Sequence, residues 1–164
     1  MQRLRQQDNS VLCPWKRSQT LTCLHLGSSC SKNALGRRNN TIYHFLKDTN
    51  TTPADYDAVI TGDLGAVGSP LLHELLAQQG VELGDRHADC GLLIYDREKQ
   101  DAHAGGSGCG CAASVLCSHI LGKLERREWR NVLFTATGAL MSPTSSQQGE
   151  SIPGIAHLVQ LVSE

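Results

Sequence analysis

No run of this 164-residue sequence approaches the ~18 consecutive apolar residues that a bilayer-crossing helix needs. The N-terminal stretch MQRLRQQDNSVLCPWKRSQ is basic but lacks the continuous apolar core of a secretory signal, so export is not expected. Net charge is almost absent, at -1, and there is no self-similarity at a period of ~20 to 50 residues that would suggest a solenoid. The Gly-Lys-Ser/Thr of a phosphate-binding P-loop is missing. No strand runs straight into a glycine fingerprint of the dinucleotide-binding type either. What remains is a chain with 40% hydrophobic residues, long enough for one ordinary domain and an appendage.

Seven cysteines, an odd number without an export signal, argue for reduced thiols in a cytosolic compartment rather than a disulfide framework. Charge is unevenly spread. Residues 1–40 hold Arg3, Arg5, Lys16, Arg17, Lys32, Arg37 and Arg38 against the single Asp8, and the remainder is acidic. Such an arm suits nucleic acid or an anionic membrane surface in charge alone, but it has no amphipathic repeat and no groove-reading motif. The expectation is therefore a disordered or out-of-frame segment over 1–40, with no nucleic-acid partner, ahead of a folded unit over 41–164.

From Thr41 onward the pattern is that of an α/β protein. Ile42, Phe45 and Leu46 have helical spacing, and Ala58 to Thr61 reads as a buried strand. Ser69 followed by Pro70 resembles a helix start, with the helix ending at Gly80. VELGDRHADC reads as irregular and GLLIYD, residues 91–96, as a strand. A third helix is expected from Gly108 or Cys109 to about Glu128, with Val115, Leu116, Ile120, Leu121 and Leu124 as its apolar stripe and Cys117 buried in it. Strands over 131–138 and 155–162 complete the alternation, which predicts a mixed sheet packed with helices.

The stretch HAGGSGCGCAASVLCSHIL, residues 103–121, carries the candidate chemistry. A metal is one reading, since Cys90, His103, Cys109, Cys111, Cys117 and His119 are all potential ligands. Cys109 and Cys111, however, would point about 200° apart on a helix, so one helical face does not hold both. A nucleophile is the second reading: Cys109 or Cys111 at a helix start, with His103 as base. The third is an anion seat, because Gly105, Gly106, Gly108 and Gly110 permit close backbone approach where helix-opening amides point outward. The same glycines equally serve to pack a helix closely on a sheet. The loop SPTSSQQGESIPG, residues 142–154, adds Ser145, Ser146, Gln147 and Gln148 as neutral donors and acceptors, and Asp63 is a turn former or a polar site group.

Three strings, DYDAVITGDLGAVGS, DCGLLIYDREKQDAHAGGSGCGCAASVL and VLFTATGALMSPTSSQQGESIPGIAHLV, resemble the C-terminal half of the stage V sporulation protein AD family, over roughly residues 41–164. The resemblance implies a thiolase-like half of βαβαββ type. It also implies a protein that binds dipicolinic acid (pyridine-2,6-dicarboxylate) for uptake, as the calcium complex, into the developing spore. Implied with it are a peripheral place on the cytoplasmic face of the forespore inner membrane, other proteins of the dipicolinate transport system as partners, self-association through the thiolase-like interface, and no cofactor. On this reading His103, Gly106, Ser107, Cys109, Cys111, Ser145, Ser146 and Gln147 contact the ligand and no residue is catalytic.

The Gly-His-Pro-x-Gly and Cys-x-Gly-Gly-Gly patterns of catalytic thiolases are missing from the corresponding HAGGSGCGCAAS and TATGALMSPTSSQQG. A thiolase-like acyltransferase is therefore the alternative, with a purely structural role in a membrane-associated complex as a third. The abrupt change of character before TIYHFLKD leads to the expectation of a truncated or frame-shifted product that exposes apolar surface and self-associates.

Overall fold

The computed structural model describes residues 10–15, 19–24, 34–108, 110–139, 147 and 154–163. Ala34–Thr49 forms α1, whose Ile42, Phe45 and Leu46 are buried at the expected helical spacing. Strand β3, Ala58–Thr61, is buried at all four positions, as its β-branched run predicts. Helix α2 covers Gly65–Ala77, β4 covers His87–Asp89, and α3 is the short turn Cys90–Leu93. A longer helical rod follows: α4 (Cys111–Val115), a π-helical turn (Leu116–Ile120) and α5 (Leu121–Glu125). Strands β5 (Asn131–Ala139) and β6 (Gly154–Ser163) end the succession β3-α2-β4-helices-β5-β6, which is the βαβαββ order expected.

At the centre is a four-stranded mixed sheet in the order β6-β5-β3-β4. Strand β3 pairs in parallel with both β4 and β5, while β5 and β6 pair antiparallel from Asn131↔Val162 to Ala139↔Gly154. Two further strands, β1 (Ser10–Trp15) and β2 (Gln19–Leu24), pair antiparallel with each other, and β2 extends the sheet along β6. They lie within the segment set apart by charge.

Side-chain alternation on the sheet separates two cores. Val59, Leu133 and Leu158 face α1 and α2, meeting Ile42, Phe45, Leu72 and Leu76. Ala58, Ile60, Val132, Phe134 and Leu161 face the other way, onto Cys111, Val115, Ile120 and Leu124 of the helical rod. The molecule is thus helix, sheet, helix in section. Among the described residues no helix is long and apolar enough to cross a membrane.

Four expectations are corrected. Helix α2 starts four residues before Ser69 and takes Pro70 into its interior, because its first amides are capped from β4 rather than by Ser69. GLLIYD is not a strand: the strand is the preceding His87–Asp89, and the Asp89 side chain accepts from Gly91 N at 3.0 Å, opening a helical turn over Cys90–Leu93. A short apolar run is compatible with either structure, and the cap decides. Cys117 is exposed rather than buried, because the π turn inserts a residue that keeps both Val115 and Ile120 inward and turns Cys117 out. The rod also stops at Glu125, short of Glu128, where Arg127 turns to φ 59.

Candidate functional site

The carboxyl ends of β3, β4 and β5 lie at one end of the sheet, with Thr61 in register with Asp89 on one side and with Thr135 on the other. In sheets of this kind that end is where ligands bind. Asp89 organises it. Its side chain is 1% exposed and accepts four hydrogen bonds: from Thr61 Oγ1 at 2.6 Å, Leu64 N at 2.8 Å, Gly65 N at 2.9 Å and Gly91 N at 3.0 Å. A buried carboxylate with this many donors is compensated, and it fixes the starts of α2 and α3 together.

The Thr61 hydroxyl has one proton and gives it to Asp89, so at its 2.9 Å contact with His87 Nε2 it accepts. That assigns the His87 ring as the Nε2–H tautomer. Its Nδ1 is then the acceptor facing His73 Nε2 at 3.0 Å and Ser69 Oγ at 3.3 Å. A directed chain runs from His73 through His87 and Thr61 to Asp89. Burial, with the His73 charge added, pulls the His87 imidazole down to about 4 against a smaller opposing effect of Asp89. Beside Thr61, the Thr135 hydroxyl is fully buried and has no partner among the described residues.

The glycine loop lies against the same end. Gly106 N donates to Gly91 O at 2.7 Å, and Ala66 N donates to Ala104 O at 2.8 Å. A Cβ on Gly105 would stand 2.4 Å from Gly91 O, and one on Gly65 would stand 2.4 Å from Ala104 O. These glycines therefore let the loop lie on α3 and on the start of α2, backbone against backbone. The outward donors are already engaged by a carboxylate of the chain itself: Ser107 Oγ donates to Asp63 Oδ2 at 3.1 Å, and Gly108 N donates to the same oxygen at 3.3 Å.

Of the residues singled out from the sequence, Ser107 and Cys111 come together around Asp63 and Gly62, with Cys111 Sγ 4.0 Å from Gly62 O, while Gly106 is held beside them on Gly91. His103 stands apart: it is exposed at φ 32, and its Nε2 is 3.3 Å from Asp101 Oδ1. Gln147 is exposed, while Cys109, Ser145, Ser146 and Gln148 lie outside the described residues.

The two buried thiols are not activated. Burial first, then Asp89, Cys111 and Asp63, push Cys90 up to about 12, and burial with Asp63 and Asp89 raises Cys111. Among the described residues no three His, Cys, Asp or Glu side chains converge to hold a metal ion. Sequence reasoning missed His73, His87 and Asp89. The signal was the His-x-Asp spacing of RHADC, which puts both side chains on one face once the segment is a strand.

Residues 23–162 match the family model for stage V sporulation protein AD (SpoVAD). The chain belongs to this family. It is 50% identical over 118 residues to stage V sporulation protein AD of Bacillus subtilis (strain 168), and that match covers 72% of this chain and 35% of the relative. The chain thus spans about a third of the length of the curated relative it matches. Membership places it among sporulation proteins. The SpoVAD match begins at residue 23, inside the basic segment, and includes the whole His73–His87–Thr61–Asp89 network.

Proposed function

We propose that this chain serves sporulation by binding dipicolinate, taken as its calcium complex, for uptake into the developing spore. It would do so peripherally on the cytoplasmic face of the forespore inner membrane, beside other proteins of the same transport system. The match to the SpoVAD family over residues 23–162 is the observation that carries the reading. Dipicolinate is a planar dianion, and the Ser107 hydroxyl and Gly108 amide are donors suited to one of its carboxylates. A ligand seated there takes both donors from Asp63, so binding includes release of that carboxylate. The loop containing Ser145, Ser146 and Gln147 supplies the further contacts in this reading, and His103, which stands apart, joins them only if its exposed ring swings towards the ligand. Self-association through a thiolase-like interface is supported by Val67 and Leu71, 66% and 42% exposed on one side of α2.

Titration of the purified chain with dipicolinate, with and without Ca2+, tests the proposal. Saturable binding is expected, weakened about tenfold by Ser107→Ala through loss of one hydrogen bond to a charged group. Absence of saturation would overturn the proposal, and an acyl-thioester on Cys109 or Cys111 after incubation with an acyl donor would favour the acyltransferase reading instead. The raised thiol of Cys111 supports the non-enzymatic choice.

A further inference from the structure

We propose that His73 and His87 form a two-imidazole seat for a divalent first-row transition-metal cation such as Ni2+ or Zn2+, with water completing its coordination. The inference is independent of dipicolinate binding, and it rests on the spacing of the two rings and on what holds them. His73 Nε2 and His87 Nδ1 are 3.0 Å apart, with the ring planes at 75°. Two nitrogens bound cis to one such ion at ~2.0 to 2.1 Å stand roughly 3 Å apart. The ion sits off the line between them, so His73 turns to aim its lone pair beside that of His87 and gives up the proton it shares. His73 is half-buried on α2.

His87 is the preorganised partner. Its Nε2–H is committed to Thr61, and Thr61 in turn to the buried Asp89, so its Nδ1 lone pair is the one presented. Metal-bound histidines are oriented by such outer hydrogen bonds, in which the far ring nitrogen donates towards a carboxylate. Here a threonine hydroxyl relays the contact. Ser69 Oγ, 3.3 Å from the same Nδ1, lies beside the seat as a hydrogen-bond partner for a metal-bound water. Two neutral imidazoles select Zn2+, Ni2+ or Cu2+ and not Ca2+, which takes oxygen ligands.

The test is a titration of the full chain with Ni2+, followed through the imidazole ring signals in 1H–15N correlation spectra, with a parallel Ca2+ series. Expected is joint broadening of the His73 and His87 rings before those of the exposed His44, His103 and His119, with no response of the pair to Ca2+. His73→Gln keeps an N–H donor towards His87 Nδ1 while removing one imidazole, and it should weaken Ni2+ binding at least tenfold. Broadening confined to the exposed histidines overturns the assignment, and so does a Ca2+ response equal to that of Ni2+ or an H73Q variant with parental affinity. Should H73Q fail to fold, the site-resolved titration of the parent chain decides alone.

Discussion

Thr61 and Thr135 face each other across two parallel strands, both fully buried, yet among the described residues only Thr61 has its hydroxyl paired. Thr61 donates to Asp89 and accepts from His87, so its loss strips a donor from a buried carboxylate and leaves an imidazole N–H without its acceptor. The Thr135 hydroxyl bears a desolvation cost that nothing among the described residues offsets. Valine has nearly the shape of threonine, which makes the two positions a controlled contrast. Thr61→Val is expected to destabilise the fold by about 2 kcal/mol, whereas Thr135→Val is neutral or stabilising by up to about 1 kcal/mol. Urea midpoints of the two variants against the parent chain measure this, and equal losses at both positions would sink the account of the network.

At the scale of elements, the glycine loop divides into positions that need glycine for contact and positions that need it only for conformation. Gly105 has φ +105, and its Cβ would lie 2.4 Å from Gly91 O, a backbone atom that moves only with α3. Gly108 has φ +121 but nothing within 4 Å of a Cβ. Gly105→Ala is therefore expected to cost about 3 kcal/mol or more, and Gly108→Ala only about 1 kcal/mol, as read from thermal or urea unfolding. Similar costs at both sites would mean that the loop is not held against α3 as described. The same loop shows what was legible from sequence. Local patterns located β3, β5, β6 and α1, because strand alternation and helical spacing are properties of neighbouring residues. The start of α2 was misread because its cap is the Asp89 side chain, 24 and 25 positions from the amides it satisfies, while Ser69 and Pro70 offered a local start signal that the fold does not use. The site followed the same rule. The glycines announced a close backbone approach, but that the approach is to Gly91, and that Asp63 takes the outward donors, depends on tertiary contacts no spacing encodes.

For the whole molecule, these buried groups set the pH range over which folding is favoured. His87 titrates near its ordinary 6.5 when unfolded and at about 4 when folded, held down by burial and by His73. The unfolded chain therefore takes up the proton first as pH falls, and stability is lost progressively between about 6.5 and about 4. With each pKa unit worth about 1.4 kcal/mol, the loss amounts to roughly 3 kcal/mol. The depressed carboxylates Asp55, Asp96 and Glu128, held by Thr52, Lys99 and Arg126, begin from ordinary values of 3.8, 3.8 and 4.5, so most of their effect lies at the acid edge of the His87 window or beyond it. At the alkaline end the sign reverses in charge but not in outcome. Cys90, raised from 9.0 to about 12, and Cys111, raised by burial and carboxylates, ionise first in the unfolded chain, so stability falls as pH rises above about 9. The expected profile is a plateau between about 6.5 and 9 with a descending limb on each side. His87→Gln retains a side-chain N–H for Thr61 but has no titrating ring. In unfolding series at half-unit pH steps, it should flatten the limb between 6.5 and 4 while leaving the alkaline limb as in the parent. An acid limb of unchanged slope in that variant would show that His87 is not the group that links proton uptake to unfolding.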